Sequence, residues 1–170
     1  PYAADAYFLF PTTYQHFSKG ESTARNDGLN DCQFCASRDG IHWMRYDRRP
    51  YIERGMPGEP DCGQANASWG AHFRQGNTLV QYYGGWPWTH GGFRRLTAAE
   101  RQARSVWGRE FVGTVIQRLD GFVSADAPYT GGELVTPGLV FAGKRLEINV
   151  NVAAMGETRV EIQDASGTAL

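Results

Sequence analysis

The 170-residue sequence predicts an all-β protein, and three observations support that prediction. Aromatic residues make up 13% of the chain and glycine accounts for 21 positions, a composition typical of β-proteins whose turns are supplied by glycine. Short apolar runs of strand length recur between clusters of Gly, Pro, Asp and Asn. Near the end of the chain, apolar and polar residues alternate strictly, which is the pattern of half-buried strands.

Five apolar and aromatic runs have the length and residue types of strands. They are separated by two loop-like stretches. Residues 18–30 are polar and have neither period, and residues 55–63 are rich in Gly and Pro and carry two acids. This spacing predicts successive antiparallel strands, as in a meander. The runs are residues 6–10, 32–36, 41–45, 78–83 and 111–116.

One short connecting helix is predicted at residues 97–107. Thr97 and Glu100 form a T-x-x-E capping box, in which each side chain satisfies a backbone N–H at the helix start. Ala, Arg and Gln follow, and all three favour helix.

The sequence after residue 110 has a different texture. Leu146, Ile148, Val150 and Val152 alternate with polar residues, and residues 158–163 alternate in the same way after a glycine turn. Two such strands predict a layer of a β-sandwich, so we expect one domain at 1–110 and a sandwich portion at 111–170. Sandwiches usually contain seven or more strands, and we therefore expect the chain to be a C-terminal piece of a larger protein.

Charge and hydropathy exclude several partners. The formal net charge is −1, which gives no electrostatic basis for nucleic-acid binding. No stretch approaches the roughly 18 consecutive apolar residues of a membrane helix. We predict no nucleic-acid partner and no membrane partner.

The cysteines do not predict a metal or redox centre. Cys32 and Cys35 have the CxxC spacing, but the surrounding residues read as a strand, in which positions i and i+3 point to opposite faces. Cys62 is the third cysteine, and no second CxxC follows. We interpret the cysteines as small buried apolar residues and predict no metal and no cofactor.

The stretch SRDGIHWMR predicts a structural turn. Asp39 is placed to accept backbone N–H groups, Gly40 supplies a positive φ, and Trp43 can pack back over the turn, with Ser37 as a second short polar residue. This pattern favours a fold marker over an active site.

The segment YYGGWPWTH predicts a ligand-binding strand end. Trp and Tyr rings with a few polar groups complement the flat C–H faces and hydroxyls of sugars, so we predict substrate binding by Tyr83, Trp86, Trp88 and His90. The alternative is a buried aromatic cluster with a structural histidine.

Acidic residues near glycines supply candidate catalytic groups. Glycoside hydrolysis needs two carboxyl groups flanking the scissile bond, and Glu59 and Asp61 are the candidates in the loop at 55–63. Asp120, in the sequence QRLDG, is a third candidate for a site carboxylate. Each of the three has an alternative role as a turn former.

Five stretches, taken together, carry a family resemblance: YFLFPTTYQHF; SRDGIHWMR with RRPYIERGMPGEPD; QYYGGWPWTHGG; QRLDGFVSADA; and LVTPGLVFAGKRLEINVNVAAMGETRVEIQDASGTAL. Through them, nearly the whole chain resembles the C-terminal part of bacterial five-bladed β-propeller glycosidases of the invertase/levanase-like and arabinanase-like kind. Those proteins often append a β-sandwich. SRDGIHW, which looks like a shortened Asp-box hairpin, and RLDGFVS are the most distinctive pieces.

The resemblance implies a partial β-propeller, a carbohydrate partner, and a secreted or periplasmic location. It also implies that the main catalytic aspartates come from early blades outside this chain, and that Asp61, His90 and Tyr83 line the funnel. Missing blades or a homo-oligomer would complete the fold. Two alternatives stay open: a non-catalytic carbohydrate-binding module, and a structural or oligomerisation β-domain whose open sheet edges require a partner.

Overall fold

The computed structural model describes residues 5–18, 20, 26–103 and 110–170, and their regular structure is mostly strand. Within those ranges helix is confined to two short elements, so the predicted all-β class is confirmed. In chain order the elements are β1 (Tyr7–Leu9), β2 (Thr12–His16), β3 (Gly28–Cys32), β4 (Cys35–Ser37), β5 (Gln64–Gln75), β6 (Thr78–Trp86), α1 (Gly92–Arg95), α2 (Ala98–Ala103) and β7 (Phe111–Arg118).

In the described part of the chain, the larger of two sheets has the order β2-β3-β5-β6-β7, and β1 pairs with β4 in a separate two-stranded ladder. Neighbouring strands are antiparallel except β3 and β5, which are parallel and meet at Asn30 and Gln64. β5 and β6 form a hairpin whose tight turn uses Gly76 at φ 61°. The β5–β6 register shifts between Ala67 and His72.

A small core lies against the centre of this sheet. Cys32, Ile52 and Ala65 are buried together, with Tyr51 and Tyr83 among the rings packed on them. An aromatic layer continues from this core, and its rings Phe34 and Phe122 stack at 4.7 Å between centroids. The other rings of the layer are Phe8, Phe10 and Tyr51.

Burial alternates along β7, with one face half-buried and the other exposed. Val112 and Ile116 lie on the exposed face, at 72% and 68% exposure. β7 is also the last strand in the order of the sheet. The described part of the chain thus presents both an apolar sheet face and an open strand edge at β7.

The predicted strand runs match the structure unevenly. The runs at 6–10, 78–83 and 111–116 correspond to β1, β6 and β7, and the run at 32–36 is divided between β3 and β4. The strand predicted at 41–45 is wrong, because only a single bridge between Ala36 and Met44 forms there. The loop predicted at 18–30 is wrong at its end, where β3 begins at Gly28, and β2 and β5 were not predicted.

The predicted capping box is confirmed. Thr97 Oγ1 accepts the Glu100 backbone N–H at 3.2 Å, and Glu100 Oε2 accepts the Thr97 backbone N–H at 2.7 Å. α2 follows, and the predicted residues 104–107 lie outside the described residues. α1 was not predicted. No helix among the described residues is long and apolar enough to cross a bilayer.

The chain divides into two compact units, Pro1–Val123 and Ser124–Leu170. The division therefore lies after Val123 instead of near residue 110. The reason is that β7 is paired with β6 along its whole length, from the pair Phe111 and Gly85 to the pair Arg118 and Thr78. A strand that completes a sheet cannot be separated from it by a domain boundary.

The second unit lacks the strands predicted at 145–152 and 158–163. The strand-type pairing within Ser124–Leu170 is one bridge between Gln163 and Ala169. Leu146 and Ile148, on the predicted apolar face, are 63% and 51% exposed. The strands predicted here do not form in this structure, because alternation selects the face that could be buried, whereas a strand forms only where a neighbouring backbone completes its ladder.

Candidate functional site

The loop at residues 55–62, called the acidic loop below, brings Glu59 and Asp61 together. A Cβ on Gly55 would lie 2.2 Å from Asp61 Oδ1 and 2.5 Å from Glu59 Oε2. Both oxygens therefore lie close to the position that a Cβ of residue 55 would occupy. Only glycine, which has no Cβ, leaves room for the two carboxylates there. Glu59 is exposed and Asp61 is half-buried.

Tyr83 joins this pair from the sheet. Its hydroxyl donates to Asp61 Oδ2 at 2.8 Å. Burial raises the pKa of the Tyr83 phenol to about 12, and the hydrogen bond and charge of Asp61 and the charge of Glu59 act in the same direction. Tyr83 is therefore a neutral donor that orients the Asp61 carboxylate.

Two glycines make space for this arrangement on the sheet. A Cβ on Gly85 would lie 2.9 Å from Asp61 Cβ, and a Cβ on Gly113 would lie 2.3 Å from Tyr83 Cε1. Gly113 is the cross-strand partner of Tyr83. The YYGG sequence is thus explained in part by close packing: Gly85 admits the acidic loop to the surface of β6.

Arg54 closes the base of the acidic loop. Its Nε donates to Asp31 Oδ1 at 2.8 Å, and its Nη1 donates to the Cys62 carbonyl oxygen at 3.2 Å. The Asp31 side chain is 2% exposed and also accepts a hydrogen bond from Gln15 Nε2. Sequence reasoning missed Arg54 and Asp31, because 23 residues separate them and no motif links them.

Trp86 lies on the other face of β6 from Tyr83. Its indole ring occupies the space beside Gly84, where a Cβ would be 2.7 Å from the ring, and its Nε1 donates to Glu110 Oε2 at 3.0 Å. Successive strand residues point to opposite faces, so Trp86 does not join the pair of Asp61 and Tyr83.

Trp88 and His90 occupy two further places. The Trp88 ring contacts the Phe93 ring, with 4.9 Å between their centroids. Arg101 lies over the Phe93 ring, with its Cζ 5.1 Å from the ring centroid. His90 is exposed, and its ring lies 4.9 Å from that of Tyr14. Of the residues predicted to bind substrate, the structure brings only Tyr83 to the predicted carboxylates Asp61 and Glu59.

The SRDGIHW stretch forms a turn in which Asp39 is the acceptor. Asp39 Oδ1 accepts the backbone N–H groups of Ile41 at 2.8 Å and His42 at 2.7 Å, and Gly40 has φ 74°. Ser37 Oγ accepts the Gly40 N–H at 2.9 Å. The His42 ring and these backbone donors hold the pKa of Asp39 well below its usual range. Trp43, assigned to the same turn, is 39% exposed.

Asp120 also has the geometry of a turn residue. It adopts φ 60°, and the Gly121 N–H donates to the Arg118 carbonyl at 3.0 Å across it. Left-handed backbone is tolerated by Asp because its short side chain can bond locally. The geometry favours the turn interpretation of Asp120 over the catalytic one.

The cysteines are free thiols, with Cys32 and Cys35 buried and Cys62 half-buried. Burial raises the pKa of the Cys32 thiol to about 11, which disfavours the thiolate needed for metal binding or redox chemistry. Within the described ranges, His, Cys, Asp and Glu form no group of three or more that could hold a metal ion.

Comparison of the chain with protein-family models, with curated proteins and with solved structures finds no match.

Proposed function

We propose that this chain binds carbohydrate through the acidic loop and Tyr83, as the late-blade part of a glycosidase-like β-propeller protein. The observation that carries the proposal is the convergence of Glu59 and Asp61 at Gly55, with the Tyr83 hydroxyl on Asp61. Carboxylates are acceptors for sugar hydroxyls, and charge-assisted hydrogen bonds are roughly twice as strong as neutral ones. The family resemblance of the sequence supports the same partner.

The geometry of the pair favours binding over hydrolysis. Asp61 Oδ1 and Glu59 Oε2 both lie within 2.5 Å of one point beside Gly55, so the two carboxylates converge, whereas the carboxyl groups of a glycosidase flank the scissile bond. Both residues also come from one loop. A sugar would therefore meet the pair on one side, and hydrolysis would require a further carboxylate on the other side of the bond.

The charge of the pair favours neutral sugars. Arg54, the cation at the base of the loop, is already engaged with Asp31. Uronic acids would bring a carboxylate against two acidic side chains, and such like-charge contacts discriminate against the wrong ligand. Neutral oligosaccharides are the class this site fits.

The proposal also concerns the architecture of the protein, which we expect to combine a β-propeller with a β-sandwich. The antiparallel succession β5, β6 and β7 supports a propeller blade, and the Asp39 turn supports an Asp-box-like hairpin. We propose that Ser124–Leu170 contributes strands to a β-sandwich once a neighbouring backbone is supplied. Missing blades or a second copy would supply the partners.

A structural or oligomerisation role is the second candidate function. The exposed face of β7, with Val112 and Ile116, and its position at the edge of the sheet favour it. An unprotected strand edge is a site for pairing with another chain. A monodisperse oligomer without sugar binding would favour this second function.

The test is titration of the chain with neutral oligosaccharides by calorimetry or NMR, with Asp61→Asn and Glu59→Gln beside the wild type. Loss of one charged hydrogen bond costs about 1.5–3 kcal/mol, so each variant should weaken binding about tenfold to a hundredfold. Trp88→Ala, which alters a ring away from the pair, is the matched control and should keep wild-type affinity. The proposal fails if no neutral sugar binds saturably, or if Trp88→Ala alone abolishes binding.

A further inference from the structure

We infer that Arg54 is a positioning residue that fixes the acidic loop, and with it Glu59 and Asp61, against β3. This inference deepens the proposed function and rests on it for its meaning in sugar binding. The contacts of Arg54 stand independently of any ligand. Nothing in the sequence pattern had assigned Arg54 a role.

The Arg54 guanidinium donates hydrogen bonds to two partners. Nε donates to Asp31 Oδ1 at 2.8 Å, and Nη1 donates to the Cys62 carbonyl at 3.2 Å. Asp31 belongs to β3 and its side chain is 2% exposed, whereas Cys62 ends the acidic loop. Arg54 therefore ties both the start and the end of the loop to a buried carboxylate in the sheet.

The loop between these two ends is held by its own contacts. The Met56 N–H donates to Glu59 Oε2 at 2.6 Å, the Glu59 N–H donates to the Met56 carbonyl at 2.9 Å, and the Cys62 N–H donates to the Glu59 carbonyl at 3.3 Å. These bonds set the local shape of the loop but do not connect it to β3. The Arg54 side chain connects the loop itself to β3, and the Asn30 N–H of β3 donates to the carbonyl of Gly63, the residue after the loop, at 3.4 Å.

Lysine cannot replace arginine in this role. An ammonium is a compact point charge, whereas the planar guanidinium presents donors at fixed angles. Arg54→Lys can keep the ion pair with Asp31 but cannot reach the Cys62 carbonyl with the same geometry. Arg54→Met removes both contacts and preserves much of the apolar stem.

The experiment follows the ionisation of Tyr83 by the ¹³Cζ chemical shift, assigned with Tyr83→Phe, in the ligand-free chain. The wild-type pKa is about 12. Burial is the largest cause of this raised pKa, followed by the hydrogen bond and charge of Asp61. Release of the acidic loop uncovers the phenol and removes Asp61 from it, so the pKa should fall toward the ordinary 10 in both Arg54→Lys and Arg54→Met. Hydrogen exchange at the Met56 and Cys62 amides should rise about tenfold or more.

The matched control is Arg95→Met. Arg95 forms an ion pair with Asp27, whose side chain is fully buried, and so it tests the loss of a comparable pair that does not contact the acidic loop. It should leave the Tyr83 pKa and the loop exchange at wild-type values. A general loss of stability would instead change all three variants alike.

The outcomes separate the inference from the proposed function. An unchanged Tyr83 pKa and unchanged loop exchange in Arg54→Lys would overturn the role of Arg54, as would an equal effect of Arg95→Met. If the shifts appear but the wild type binds no sugar, the positioning role stands and the proposed function fails. If the wild type binds sugar, Arg54→Lys should weaken binding about tenfold while its fold is retained.

Discussion

Tyr83 couples the candidate site to the stability of the sheet. Its pKa is raised to about 12 from an ordinary value of 10, because the folded protein favours the neutral phenol. The contribution of that phenol to stability is therefore fully present below pH 10 and is lost as the pH rises through 12. We expect the difference in free energy of unfolding between wild type and Tyr83→Phe to shrink between those two pH values, as measured by urea unfolding. A difference that stays constant would contradict the raised pKa of Tyr83 in the folded protein.

The three thiols should differ in reactivity. Cys32 is completely buried, and its pKa is raised to about 11, whereas Cys62 is half-buried. Because the thiolate is the reactive form, a disulfide reagent at neutral pH should label Cys62 before Cys32, with Cys32 reacting only on unfolding. Mass mapping of partly labelled protein checks the order, and Cys62→Ser should remove the fast phase. Early labelling of Cys32 would show that the core opens readily.

At the scale of elements, Gly63 connects the end of the acidic loop to β6. A Cβ at this position would lie 2.1 Å from the Trp88 carbonyl oxygen and 2.8 Å from Trp88 Cα, and backbone atoms cannot move aside as a side chain can. Gly63→Ala should therefore cost about 1–3 kcal/mol of stability. Gly138→Ala is the control, since nothing lies within 4 Å of its added Cβ. Equal thermal stability of the two variants would refute the close approach.

The Asp39 turn should lose its contribution to stability in acid. Its pKa is lowered from 3.8 by the His42 ring and by backbone donors, so the ionised form stabilises the turn above pH 3.8 and this effect is lost as the pH falls further. We expect Asp39→Asn to be less stable than wild type at neutral pH and to approach it in acid. Asp126→Asn, an exposed acid elsewhere, should match the wild type throughout. Denaturant midpoints across the acid range measure both.

Local signals in the sequence predicted part of the local structure correctly. The capping box at Thr97, the loop at 55–63 and the strands β6 and β7 all depend on residues close in the chain. β5 was missed because its sequence, QANASWGAHFRQ, has no sustained alternation, and its pairing with β3 is parallel and non-local. The pair of Glu59 and Asp61 could be predicted because both acids lie in one short loop. Arg54 could not, since its role depends on Asp31 in another element.

At the scale of the whole molecule, the two units of the chain differ in how far their apolar side chains are buried. In Pro1–Val123, side chains such as Leu79 and Ala65 are almost completely buried. In Ser124–Leu170, Val140 and Met155 are almost fully exposed. Composition and alternation alone could not reveal this difference, because they specify which residues could be buried and not whether a partner surface is present.

Hydrogen exchange distinguishes a formed sandwich layer from an unpaired one. β6 is hydrogen-bonded to strands on both sides, so its amides should exchange slowly, whereas the amides of residues 145–152 should exchange at nearly unprotected rates, because no ladder forms there in the described structure. The Leu170 N–H, which donates to the Ile162 carbonyl at 3.0 Å, provides an internal control of intermediate protection. Alternating protection along 145–152 comparable to that in β6 would contradict the structure of this unit. Protection that appears only when a longer form of the protein or a second copy is present would instead support the proposal that a neighbouring backbone completes the layer.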